Sequence, residues 1–537
     1  MPTTRRLKAP RSLVRTLSFV FIVLLACGSL LAQTSPPPDL DAYVARVLKT
    51  FDVPGLSVAI VKDGKVVLAK GYGVRKLGES APVDEHTLFG IGSNTKAFTT
   101  AALATLVDEG KISWDDPVYE RLHGFQMYDP YVSHEMTIRD LLTHRSGMGL
   151  GEGDLLFWPH TTFTREEIIY RLRFMKSATS FRSGYAYDNL MYIAAGQIIP
   201  AVTGKSWEDY VRERILVPLG MTTTNFTNTN WKPGDNYAWP HSKIPGRFQV
   251  IDFVPLDNAA PAGSINSCAA EMAQWLLLQL AHGKFPHRDG WLFTADRSEE
   301  MWSPQTILPV PKDSPPPFGA LTPHFADYGL GWVLQDFHGR KMVSHSGGVA
   351  GFVSRVRLLP EENLGVVVLT NAEEAGAFDS LSFHILDHYL GLPPTDWTQA
   401  FKDAETREQQ KAAETMQKQA AARAQDSHPS LPLEKYAGIY SDAWYGTSTI
   451  RMENGSLTMS LDHTPRAVAD LQHWQFDTFK AHWRDRTIED AFVTFALKPT
   501  GEIDHFTMVA VSPLADFSFD YQDLYFQPVK VKVARHK

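Results

Sequence analysis

Ser93 and Lys96 stand three residues apart in Gly92-Ser93-Asn94-Thr95-Lys96, at the head of an apolar run from Ala97 to Val107. If that run is a helix, Ser93 falls in its first turn and both side chains share one face, so a hydroxyl meets an amine. Serine is a weak nucleophile until a base takes its proton, and a lysine kept neutral by burial or neighbouring cations can be that base. The head of a helix also offers free N–H groups and partial positive charge where negative charge develops during acyl transfer. A capping serine followed by a surface lysine has the same spacing, so the reading depends on what lies downstream.

Two further groups supply it: Tyr187-Asp188-Asn189 and His345-Ser346-Gly347-Gly348. In this order the three groups resemble the serine β-lactamase and penicillin-binding-protein superfamily, most closely its class C β-lactamase, DD-peptidase and esterase branch. The resemblance spans about residues 40–392 and includes Leu141-Leu142-Thr143-His144-Arg145-Ser146-Gly147-Met148, Ala195-Gly196-Gln197-Ile198-Ile199 and Gly329-Leu330-Gly331-Trp332. It implies that Ser93 forms a covalent acyl-enzyme and that Lys96 and Tyr187 move protons. Asn189 is then expected to hydrogen-bond the lysine and the substrate amide. The backbone amides of Ser93 and Gly348 become the oxyanion donors, with His345, Ser346 and Gly347 beside them on the substrate side. A phenol serves as a base at neutral pH only where cations lower its pKa, a part Lys96 and a protonated His345 are expected to play. The glycines at 347 and 348 are expected to admit close approach of substrate.

Class C β-lactamases carry lysine where this chain has His345, and histidine there resembles DD-carboxypeptidases and D-aminopeptidase-like relatives. The site then holds a cation at that position only when the imidazole is protonated. The expected substrate is accordingly a D-amino-acid peptide or amide, or a small ester. A β-lactamase is one alternative. A non-catalytic penicillin-binding receptor or scaffold is another, although such a protein needs no complete proton-transfer set. Other conspicuous residues have plainer readings. His144 reads as a structural loop residue rather than a second base. His384 and His388 share a helical face but lack a third ligand, so no metal or cofactor is expected. Trp158, Trp302 and Phe318 either line the cleft or pack.

The elements that must hold these groups come from a chain of 537 residues, long enough for two or three domains, with 44% hydrophobic and 21% charged residues. The two cysteines, Cys27 and Cys268, give no disulfide framework. Arg5, Arg6, Lys8, Arg11 and Arg15 precede an apolar segment from Leu17 to Ala26 and a small residue at Ala32, so residues 1–32 read as a signal peptide. Export to the periplasm or medium follows, with a lipid anchor at Cys27 as the alternative. The formal net charge is −8, and removing that basic segment makes the chain more acidic. Such a chain has no electrostatic case for nucleic acid or anionic membranes, which leaves small molecules or short peptides as partners. Its composition does not specify an oligomeric state.

Residues 33–39, with Pro36-Pro37-Pro38, read as a tether ahead of a hydrolase domain over 40–392. An α/β architecture is expected there: a helix over Asp39 to Phe51, then a hairpin around Asp63-Gly64, a helical middle, and strands at Tyr328 to Gln335, Lys341 to Ser344, Val353 to Leu359 and Leu364 to Thr370. Early and late strands can join one antiparallel sheet, with the helical lobe set against it and the site between them. The prolines from Pro309 to Pro317 mark a loop at the rim. Residues 393–431 read as a solvated helical spacer, and 432–537, with alternating stretches and turns at Asn454-Gly455 and Thr500-Gly501, as a small β-barrel. Tyr436-Ala437-Gly438-Ile439-Tyr440 resembles the opening of lipocalin-like modules.

Overall fold

The computed structural model of the chain describes residues 35–529 apart from Pro233 and Pro245. The expected signal segment, with Cys27, lies outside the described residues. The first helix, α1 (Leu40–Phe51), leads into β1 (Gly55–Lys62) and β2 (Lys65–Gly73), joined at Asp63-Gly64. Both turn residues have positive φ, 52° and 73°, the backbone a two-residue hairpin requires. The remaining strands of this sheet come from far downstream: β3 (Thr306–Ile307), β4 (Ala326–Tyr328), β5 (Val333–Phe337), β6 (Arg340–Val349), β7 (Phe352–Leu359) and β8 (Leu364–Thr370). Every neighbouring pair is antiparallel, in the order β2-β1-β8-β7-β6-β5-β4-β3.

β1 and β8 are apolar on both faces because both faces are covered. Side chains alternate across a strand. Val58, Ile60, Val366 and Val368 therefore pack toward α1 and α5 (Ala375–Leu390), while Ala59, Val61, Val367 and Leu369 join the core shared with the helical lobe. In that lobe α2 (Thr95–Asp108) is buried from Thr95 to Leu106 around its whole circumference. A helix apolar on all sides belongs in an interior. The helix α3 (Asn189–Thr203) packs against it, and Trp275 of α4 (Ala269–Leu280) stacks on Phe98 with ring centroids 3.8 Å apart.

Two sequence expectations are corrected. The strand expected over Tyr328 to Gln335 is broken, because Leu330 N–H bonds the Met301 carbonyl (3.0 Å) and Gly329 N–H bonds Trp332 O (2.8 Å) instead of the ladder. The spacer is solvated along most of its length but docked at its start. Its helix, α6 (Trp397–Ala421), buries Trp397, Thr398 and Ala400 at its start and Ala412 farther on, and the Trp397 indole N–H bonds Asp387 Oδ2 at 2.6 Å.

The C-terminal strands β9 (Gly438–Asp442), β10 (Gly446–Glu453), β11 (Ser456–Leu461), β12 (Val468–Gln475), β13 (Thr478–Trp483), β14 (Ala491–Leu497), β15 (Ile503–Ala510) and β16 (Tyr525–Pro528) close into a barrel. Closure removes sheet edges. The interior is filled by aromatic rings: Tyr436, Tyr440, Phe479, Phe495, Phe506 and Phe526 are buried and meet mostly edge to face.

Candidate active site

Ser93 lies in the single 3₁₀ turn Gly92–Asn94, immediately ahead of α2 rather than inside it. This turn is fastened to the sheet. Ser354 Oγ on β7 donates to Ile91 O (2.7 Å) and accepts from Asn94 Nδ2 (2.7 Å). Gly92 has φ +53°, and a Cβ there would come within 2.6 Å of the Gly348 nitrogen, so a side chain would cover that amide. Glycine is required for both reasons.

Lys96, one turn on, is wholly buried and its Nζ has three neighbours: Ser93 Oγ at 3.1 Å, Asn189 Oδ1 at 2.7 Å and Ala262 O at 2.9 Å. The last two accept and cannot donate. A neutral amine has two N–H bonds and one lone pair, so those two oxygens take its hydrogens and leave the lone pair facing Ser93. Burial lowers the lysine pKa to about 7, partly opposed by the charges of Asp154 and Asp188. The neutral form is therefore accessible near neutrality.

Tyr187 directly precedes α3, whose N-cap Asp188 accepts from Leu190 N–H at 2.9 Å. Its ring lies beneath Lys96 Nζ (4.8 Å to the centroid) and against the His144 ring (4.2 Å). Burial raises the phenol pKa well above 10, outweighing the hydrogen bond with Ser93. The cations expected to lower this pKa do not outweigh burial, so the phenol keeps its proton near neutrality. Nor is His345 a cation. Its Nδ1 is 2.6 Å from Ser346 O, a carbonyl that can only accept, so Nδ1 carries a hydrogen, and in the neutral ring Nε2 is left to accept from Tyr328 Oη at 2.9 Å. Burial, with Lys96 nearby, lowers the pKa of His345 to about 3.

The third motif runs along β6 and its two glycines have different duties. A Cβ on Gly347 would be 1.9 Å from Ile91 O, so this glycine admits protein backbone and not substrate, contrary to expectation. A Cβ on Gly348 would meet nothing within 4 Å, and Gly348 lines the cleft. That cleft has a volume of about 990 Å³, and Ser93, Tyr187, Asn189, His345 and Ser346 also line it. Trp158 and Phe318 are on its wall, the latter just beyond the proline loop, whereas Trp302 is buried against His282. His144 accepts from Asp188 N–H (3.0 Å), as befits a structural residue. His384 reaches Asp39 Oδ1 and His388 reaches Ser35 O, each at 3.1 Å.

Sequence reasoning missed Tyr328, Ser354 and Asp154, whose Oδ2 accepts from Asn189 Nδ2 at 2.8 Å. It also missed a barrel segment, residues 511–524 between β15 and β16, that reaches the cleft with Phe517, Ser518 and Phe519. No local pattern announces these contacts, since each partner is distant in sequence.

Comparison with known proteins agrees with this geometry. Residues 40–390 match the family described as Beta-lactamase, and residues 422–528 match a domain of unknown function, DUF3471. The chain is 31% identical over 437 residues to Unguisins hydrolase ungD' of Aspergillus campestris, covering 77% of each. Among solved structures it resembles the octameric penicillin-binding protein homologue from Pyrococcus abyssi (TM-score 0.58, 24% identity, 88% of this chain and 98% of that one). It also resembles the D-amino acid amidase from Ochrobactrum anthropi SV3 (TM-score 0.52, 23% identity, 66% of this chain and 98% of that one).

Proposed function

The chain belongs to the beta-lactamase family of serine hydrolases, and from that premise we propose that it cleaves an amide or small ester of a D-amino acid or short D-peptide through an acyl-enzyme on Ser93. The observation that carries the mechanism is the neutral-lysine geometry, two acceptors for two hydrogens and a lone pair toward the serine. Lys96 takes the Ser93 proton as Oγ attacks the carbonyl carbon. The resulting oxyanion meets the amides of Ser93 and Gly348. As the carbon–nitrogen or carbon–oxygen bond breaks, the leaving atom receives a proton through the Tyr187 hydroxyl, which Lys96 replenishes. Water then attacks the ester, gives its proton to the same relay, and Ser93 leaves with its own restored.

Charge in the cleft supports the substrate class. His345 is neutral, and the cations lining the cleft have carboxylate partners: Arg355 (3.0 and 3.2 Å) and Arg357 (2.7 Å) share Asp379, Lys243 lies 2.6 Å from Glu374 and Glu405, and Arg486 lies 2.9 Å from Asp490. Glu373 and Asp516 line the same cleft. This balance favours a substrate with an amine over one with a free carboxylate next to the scissile bond. It also disfavours a penicillin, which carries a carboxylate next to its bicyclic lactam. The D-configuration is supported by the third-motif histidine and by the name of the amidase that shares this fold. Residues 1–32 support export.

The test is intact mass spectrometry and product analysis with a D-amino-acid amide, an acetate ester and a penicillin, on wild type and Ser93→Ala. Turnover of the amide or ester by wild type alone is expected. Equal turnover by Ser93→Ala would sink the mechanism, and fast loss of penicillin would reassign the substrate. The pH profile gives a second check. Because Lys96 must be neutral and its pKa is about 7, kcat/KM is expected to rise tenfold per pH unit below about 7 and then level off. A limb near 10 instead would mean a lysine that is not desolvated.

A further inference from the structure

The C-terminal barrel touches the catalytic lysine through a chain of hydrogen bonds. Ser518 Oγ donates to Asp154 Oδ2 at 2.8 Å, the same oxygen accepts from Asn189 Nδ2 at 2.8 Å, and Asn189 Oδ1 accepts from Lys96 Nζ at 2.7 Å. All four residues are buried or nearly so, with Lys96, Asp154, Asn189 and Ser518 at 0%, 0%, 8% and 9% exposure. An amide side chain can present either its oxygen or its nitrogen to a neighbour. Here Asp154 decides, because its carboxyl oxygen fixes the nitrogen end of Asn189 and turns the oxygen end toward Lys96. Asp154 in turn has Oδ1 buried without a partner, so among the described residues Ser518 and Asn189 are the groups that hold this carboxyl.

The catalytic domain is shaped to receive this segment. Gly151 has φ +67°, and a Cβ on it would lie 2.6 Å from Phe517 Cδ2, so a bare backbone is needed where the barrel segment sits. Gly153 N–H donates to Asp520 Oδ2 on the next turn of that segment. Phe517 meets the Tyr187 ring edge to face, with centroids 5.8 Å apart. Ser518 is thus held from both sides, opposite Asp154.

We propose that the barrel is part of the active site, with Ser518 as a positioning residue that acts through Asp154 and Asn189 to aim Lys96 at Ser93. This rests on the serine-hydrolase mechanism above and assigns the appended module a catalytic duty. A mobile Asn189 releases one of the two acceptors that fix the amine, so the lone pair no longer points at the nucleophile, while the walls that bind substrate stay in place. The effect belongs in the rate of acylation and not in binding.

The experiment measures acylation of Ser93 in the full chain by a fluorophosphonate, resolving the maximal rate from the half-saturating concentration. Ser518→Ala is expected to lower the maximal rate roughly tenfold with half-saturation little changed, and Ser518→Thr, which keeps the hydroxyl, to restore most of it. Asp154→Ala, which removes the shared acceptor, is expected to do at least as much and serves if Ser518→Ala misfolds. His463→Ala is the control. It loosens the same domain contact at Phe163 and Thr162, where His463 stacks 4.1 Å from one ring and bonds the other residue, yet touches none of the four. Wild-type rates in Ser518→Ala and Asp154→Ala, or an equal fall in His463→Ala, would overturn the inference and leave the mechanism standing. No labelling of Ser93 in wild type would overturn both.

Discussion

Lys96→Met is expected to lower kcat/KM by roughly 10²- to 10⁴-fold, the range associated with losing a positioned general base. Methionine fills a similar volume without an ionisable group. It leaves Asn189 Oδ1 and Ala262 O unpaired, a cost opposed by relief of a desolvated amine, so the melting temperature should move by only about a few degrees. Lys96→Arg separates base from charge. A guanidinium cannot give up its proton at any working pH. If the amine acts as the base, arginine fails as completely as methionine; if a positive charge beside Ser93 suffices, arginine keeps measurable activity and the base assignment is wrong. Steady-state kinetics with one amide and one ester, on purified variants matched by circular dichroism, decides between these.

The second large effect comes from a pair of adjacent glycines. Gly347→Ala puts a Cβ 1.9 Å from Ile91 O and 2.7 Å from Ser354 Oγ, and the first is backbone that cannot swing aside. Strand β6 must then move away from the 3₁₀ turn, breaking the seam where Ser354 joins Ile91 and Asn94. A loss of about 1–3 kcal/mol in stability is expected, as for other overpacked positions, together with most of the activity. Gly348→Ala adds a methyl to open space, so its melting temperature should match wild type within about 0.5 kcal/mol equivalent. That methyl projects into the cleft beside the oxyanion donors, and KM is expected to rise for bulky acyl groups before small ones. Equal destabilisation by both substitutions would contradict the packing described for β6.

Much of this site was legible because its signals are local. Ser93 and Lys96 meet through helical spacing, Asp63-Gly64 dictates a hairpin, and the alternating tail from Thr449 to Val509 reads as strands. What escaped depends on contacts made across the fold. His345 reads as a titratable group until Tyr328 Oη and Ser346 O occupy its two nitrogens and burial removes its charge. Tyr187 reads as a base assisted by cations, yet desolvation governs it. Asp154 sits in Gly151-Glu152-Gly153-Asp154, a sequence that speaks only of a turn, and its partner Ser518 lies hundreds of residues away. The docked start of α6 was hidden by composition, because one buried tryptophan at its head outweighs a polar remainder.

The pairing of β1 with β8 runs from Leu56 opposite Thr370 to Lys62 opposite Leu364, with the entire helical lobe strung from one strand to the other. During synthesis the hairpin emerges early and then waits, its inner edge unpaired, until the ribosome has delivered the last strand of the sheet. Such distant pairing makes for slow folding and a long exposure of sticky edge. It also sets a timetable. The seam that fastens the nucleophile's turn needs Ser354, and the neighbouring glycines need β6, so a partly made chain has a serine and a lysine but no finished cleft. Hydrolytic power arrives late in the life of the nascent polypeptide.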